Sequence, residues 1–109
     1  MSDATHFKDR LHHRVPPWVP VGEAFHIRIR CHSSQLPREP LTSPSLGRAL
    51  LDSARFYHRQ HCWHCYVFLL MPDHVHMLAM FSGAEGMSRV VHDWKRWHTR
   101  KHAVTWQDG

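Results

Sequence analysis

The segment Ala24-Phe25-His26-Ile27-Arg28-Ile29-Arg30-Cys31 alternates without a break between apolar and polar side chains from Phe25 onward. A period of two sends Phe25, Ile27, Ile29 and Cys31 to one face and His26, Arg28 and Arg30 to the other. That predicts a half-buried strand whose open face is basic. Wound as a helix, the same residues would scatter their apolar groups around the axis. Any fold of this chain must therefore supply one apolar layer to cover the strand and leave its other side accessible.

The rest of the chain supplies such a layer. Ser33 to Pro44 carries three prolines and reads as a loop, with Ser43-Pro44 predicted as N-cap and first helical residue. Leu46, Ala49, Leu50, Ser53 and Tyr57 then recur at helical spacing, predicting a helix from about Pro44 to Gln60. Cys62 to Met71 is rich in aromatic and β-branched residues and reads as a strand; Pro72-Asp73 reads as a turn and His74 to Phe81 as the returning strand of a hairpin. Gly83 to Gly86 breaks the pattern. Ser88 is the expected cap of a second helix with the stripe Met87, Val90, Val91, Trp94 and Trp97, running to about His102. Val104 to Gln107 is expected to begin another strand. Residues 1–22 read as irregular and basic, since Pro16, Pro17 and Pro20 deny them helical continuity and Leu11-His12-His13-Arg14 adds charge.

Strand, helix, strand, strand, helix and a possible strand is the order of an α+β, ferredoxin-like βαββα(β) domain. Its antiparallel sheet carries both helices on one face. At 109 residues and 42% hydrophobic content, the chain suits one domain, 1–109, with one modest core. The longest apolar run, Cys65 to Leu70, reaches only Met71 before Pro72, too short to span a membrane, and the N-terminus lacks the apolar core of a signal peptide. The expected location is cytoplasmic. Three cysteines do not make a closed disulfide framework. A net charge of +5, thirteen histidines and a pI of about 9.6 favour a phosphate-bearing partner.

The sharpest chemical feature is His74-Val75-His76. Residues two apart on a strand share a face, so two imidazoles can offer nitrogens to one metal ion while Val75 enters the core. The candidate third ligands are Asp73, Glu85, His92 and His98. Cys62-Trp63-His64-Cys65 matches C-x-x-C, but it stands at the start of a strand, not at a helix N-terminus, so buried or edge thiols are expected. Arg28, Arg30, Arg89, Lys95, Arg96, Arg100 and Lys101 are the candidate DNA contacts. Trp63, Trp94 and Trp97 are expected in the core, with Trp18 and Trp106 left open. A His-rich metal-binding protein is the competing reading.

Phe68-Leu69-Leu70-Met71-Pro72-Asp73-His74-Val75-His76-Met77-Leu78 resembles the "MPNHVH" signature of the REP-associated tyrosine transposases, of the single-tyrosine HUH class. Pro17-Trp18-Val19-Pro20 looks like their N-terminal entry, and Trp94-Lys95-Arg96-Trp97 with Trp106-Gln107 looks like their second helix and the Trp-Gln that follows. The resemblance implies nicking and joining of single-stranded hairpin DNA in transposition, in a bacterial, nucleoid-associated setting. It implies Mg²⁺ or Mn²⁺ held by His74 and His76. It places the nucleophilic tyrosine on a helix beyond Gly109, and neither Tyr57 nor Tyr66 matches that position. Asp73 replaces the usual Asn. A chain without that helix is expected to bind DNA as a non-catalytic module and, with one sheet edge lacking its last strand, to be a possible homodimer.

Overall fold

The computed structural model describes residues 17–19, 22–32 and 39–107. The basic His12-His13-Arg14 run, and most of segment 1–22, lie outside the described residues. The alternating segment forms β1 (Glu23–Arg30), and the helical repeat forms α1 (Pro44–Arg59). The hairpin forms β2 (His64–Met71) and β3 (His74–Phe81), and the second apolar stripe forms α2 (Ala84–His102). The strands make one antiparallel sheet in the order β1-β3-β2, so α1 carries the chain from one edge, past the central strand, to the other. This α+β arrangement of three antiparallel strands and two helices is compatible with a ferredoxin-like fold.

Period-two alternation decides which side of the sheet is covered. Ile29 on β1, Cys65 on β2 and Val75, Met77, Ala79 and Phe81 on β3 are buried with Leu46, Leu50 and Ala54 of α1 and Trp94 of α2. The tryptophans organise this layer. Trp63 and Trp94 are fully buried, with ring centres 6.2 Å apart, and Trp63 meets Phe81 edge-on at 6.1 Å. Such pairs add roughly 0.5–1.5 kcal/mol each beyond the area they bury. The Trp63 indole N–H also donates to Ala54 O at 3.1 Å, pinning the entry of β2 to α1.

Several boundaries differ from the sequence expectation, for local reasons. His61 adopts a left-handed φ of 64°, and Cys62 N donates back to Tyr57 O, so the end of α1 consumes Cys62 and β2 begins at His64. Ser43 stands at the N-cap of α1 as expected, yet its hydroxyl bonds Glu39 at 2.7 Å and caps nothing. α2 begins at Ala84, four residues before the predicted Ser88 cap. Gly83, at φ 108°, takes the cap position and its carbonyl accepts from Met87 N, while Glu85 complements the positive end of the helix. The expected strand at Val104–Gln107 contracts to one bridge, Cys31 to Trp106. It is flanked by hydrogen bonds from His32 N to Thr105 O and from Gln107 N to Arg30 O, both 2.8 Å.

One tryptophan is misplaced by the helical stripe. Trp97 is 48% exposed, whereas His98 is fully buried. With Trp94 facing the sheet, both neighbours a turn away compete for the interior. The helix is rotated so that His98 takes it and Trp97 sits on the flank. Trp106, left open by the sequence, is buried and donates its indole N–H to Lys95 O at 2.9 Å, fastening the end of the described chain onto α2.

Candidate nucleic-acid interface

The uncovered face of the sheet is built by register. β3 places Arg30 opposite His74 and Arg28 opposite His76; on its other side it places Met71 opposite His74 and Leu69 opposite His76. The face thus runs from guanidinium through imidazole to exposed aliphatic side chains, Leu69 at 55% and Met71 at 41% exposure. His26 completes it. Its ring stacks on His76 with centres 5.6 Å apart, and His74 meets His76 edge-on at 4.7 Å. Alternation had put His26 on this face, but only the diagonal pairing across strands brings it to His76.

The turn residue Asp73 orients the pair. Its carboxylate lies 2.8 Å from His74 Nδ1 and, more loosely, 4.0 Å from the Arg30 guanidinium. A carboxylate can only accept, so His74 donates from a protonated Nδ1, and its Nε2 is the ring nitrogen not engaged by Asp73. That hydrogen bond is the chief reason the Asp73 carboxyl is held below its ordinary pKa, with Arg30 adding to it. His76 is also pushed down, first by desolvation and then by the charges of Arg28, His74, His26 and Arg30 around it. A neutral His76 is the form that offers a nitrogen lone pair.

Behind the β1 edge, a cleft of about 540 Å³ separates the strand from α2. Arg28, Arg30, Ser88, His92, Lys95 and Gln107 contribute to its walls. Lys95 Nζ reaches Gln107 O at 3.2 Å, at the mouth of this cleft. The structure therefore gathers Arg28, Arg30 and Lys95, three of the seven predicted DNA contacts. The other four are not brought together there. Arg96 pairs with Asp93 at 3.5 Å, Lys101 lies over the Trp97 ring, and Arg89 and Arg100 are exposed on α2. Sequence reasoning passed over His92 and Ser88 as cleft residues, because nothing local links them to β1.

As a metal site the face is incomplete. His74 and His76 supply two imidazoles on one side of the strand, but among the described residues no group of three or more His, Cys, Asp or Glu is arranged to hold a metal ion. Of the candidate third ligands, His98 is removed by burial, its Nε2 lying 2.7 Å from Ser53 Oγ under α1. Asp73 is engaged with His74, His92 lines the cleft and Glu85 stands in the first turn of α2. The cysteines offer no alternative. Cys31 and Cys65 are buried, which pushes their thiols up to about 11 and about 12, and Cys62 is raised for the same reason, so all three stay protonated.

Neither tyrosine packs against His74 or His76. Tyr57 packs on Trp63 at 5.0 Å, inside the helix layer. Tyr66 occupies the bulge in β2 and packs against His64, toward the end of the strand that pairs with Met80 and away from Met71 beside His74. No helix among the described residues is long and apolar enough to cross a membrane. No family model, curated protein or solved structure gives a significant match to the chain.

Proposed function

We propose that this chain is a transposase-like DNA-binding domain of the single-tyrosine HUH class, holding single-stranded hairpin DNA against the open face of its sheet. The observation that carries the reading is the convergence of Arg28, Arg30, His26, His74 and His76 on one uncovered face, with Lys95 across the adjoining cleft. Guanidinium and ammonium groups neutralise phosphates. The neighbouring Leu69 and Met71 offer apolar surface to sugars and unstacked bases. The HUH signature selects this reading over a generic basic surface.

Strand nicking and joining are not assigned to this chain's own residues. Tyr57 packs on Trp63 and Tyr66 on His64, so neither tyrosine is placed to attack a phosphate held at His74 and His76. His74 and His76 are the residues that would hold Mg²⁺ or Mn²⁺, whose chemistry is to polarise a phosphate, but two imidazoles are only part of a ligand set. What the face does unaided is bind: Asp73 orients the His74 ring through Nδ1, and Arg28 and Arg30 fix phosphate position.

The test is fluorescence anisotropy with a labelled hairpin bearing a single-stranded extension, titrated at several salt concentrations. The double substitution Arg28→Ala/Arg30→Ala should weaken binding at least about tenfold and flatten the log–log salt slope by about 0.7–0.9 per lost phosphate contact. Lys95→Ala should remove about one such increment. Unchanged affinity and slope in all three places would overturn the assignment. With Mn²⁺ present, denaturing gels should show no covalent protein–DNA adduct.

A further inference from the structure

On the helical side of the molecule, α1 and α2 enclose a second trough, of about 590 Å³, that the hairpin reading does not use. Its walls include Asp52, Phe56, Tyr57 and Arg59 from α1 and Trp97 from α2. Phe56 is 51% exposed and Trp97 48% exposed, so two large aromatic side chains meet solvent beside one depression on the helical layer. Tyr57 lies deeper, against Trp63. Lys101 Nζ stands 5.2 Å from the centre of the Trp97 ring and puts a cation on the rim.

The α1 spacing adds direction. Asp52, Phe56 and Arg59 fall on successive turns of one helix face, so their backbones are spread over about 10 Å along the axis at ~1.5 Å per residue. An acceptor-only carboxylate stands at one end, an aromatic ring in the middle and a guanidinium at the other end. A purely anionic ligand would be repelled by Asp52, and a cationic one by Arg59. The order asks for a planar aromatic ligand with N–H donors on one edge and a negative charge at the opposite end. Guanine carries two adjacent N–H donors that a carboxylate can accept together, its ring stacks on aromatic side chains, and its nucleotide ends in a phosphate.

We propose that the α1–α2 trough binds a guanine nucleotide, with the base against Phe56 and Trp97, its N–H edge on Asp52 and its phosphate on Arg59. The same chemistry is presented by a free nucleotide and by an unpaired guanine in a nucleic-acid strand. The trough is separate from the histidine face, so this site stands or falls independently of hairpin binding there.

Trp97 is the most exposed of the buried-to-half-exposed tryptophans on the helical layer and reports on the site. Intrinsic fluorescence of the full chain is titrated with GMP, and separately with a short thymidine strand carrying one guanine or an abasic position in its place. A saturable change with GMP is expected; Trp97→Phe keeps a ring and removes the signal. Phe56→Ala and Asp52→Asn should each weaken binding on the order of tenfold, as expected for losing a stacking partner or a paired acceptor. Binding of GMP alone assigns the trough to a free nucleotide. Binding of the guanine strand over the abasic one assigns it to an unpaired base. Absence of a saturable change with every probe overturns the proposal, as does a change that neither Phe56→Ala nor Asp52→Asn alters while circular dichroism shows both variants folded.

Discussion

Ser53 Oγ lies 2.7 Å from His98 Nε2, joining the middle of α1 to the last turns of α2 beneath the surface. The same hydroxyl donates to Leu50 O at 2.8 Å and accepts the Trp94 indole N–H at 2.9 Å. With its proton spent on Leu50, Ser53 receives a hydrogen from His98, which places that ring's proton on Nε2. His98 Nδ1 is left buried without a partner among the described residues. One small side chain thus satisfies two buried donors from the facing helix, and the junction is a structural clasp.

Ser53→Ala should therefore cost more than an average surface change. It strands the Trp94 and His98 donors, each a loss of about 1–3 kcal/mol when unsatisfied. We expect urea denaturation to show roughly 2–4 kcal/mol lost, largely restored by Ser53→Thr, which keeps the hydroxyl. A loss below about 0.5 kcal/mol would mean the clasp is spanned by water.

Buried histidines give the fold a pH dependence. Burial pushes His58 and His98 down to about 4, with neighbouring His64 and His61 adding to it at His58 and His102 at His98. In the unfolded chain both titrate near 6.5. Between those values the unfolded state binds more protons, so stability is full above about pH 6.5 and falls as pH drops toward 4. Each group contributes about 1.4 kcal/mol per pH unit across that window. Urea midpoints at pH 7 and pH 5 should differ clearly, and His98→Gln should shrink the difference; equal midpoints would contradict the buried neutral rings.

Asp73 opposes the charge of the face it organises. Asp73→Asn removes a negative charge beside His74 and Arg30. Hairpin DNA should bind about two- to fivefold tighter at low salt, the size of one exposed charge interaction. The gain should vanish at high salt, where screening is complete within a few ångströms. An equal gain at both salt concentrations would point to a conformational effect.

Two glycines separate backbone need from helix propensity. A Cβ at Gly22 would lie 2.6 Å from Phe81 O, a backbone atom of the central strand that cannot move alone. At Gly86 the near atom, at 2.5 Å, is the hydroxyl of Ser82, which can rotate away. Gly22→Ala should lower thermal stability by the equivalent of about 1–3 kcal/mol. Gly86→Ala should be neutral or gain up to about 1 kcal/mol of helix propensity. The reverse order in melting experiments would mean the entry to β1 rearranges.

Much of this architecture follows from local pattern. Period-two alternation assigns Ile27 and Ile29 to the covered face and Arg28 and Arg30 to the open one, and Pro72-Asp73 sets the hairpin that presents His74 and His76 together. Those readings succeed because a strand's two faces, and a turn's position, are properties of adjacent residues. What sits opposite what is not. The pairing of Arg28 with His76, the stacking of His26 on it and the cleft between β1 and α2 depend on register between strands far apart in the chain. The rotation of α2 buries His98 and exposes Trp97 because Ser53, on another helix, offers a partner at that depth. Helical spacing alone allows either residue inside; the choice belongs to the tertiary structure, where burying a polar ring is tolerable only beside a hydrogen-bond partner.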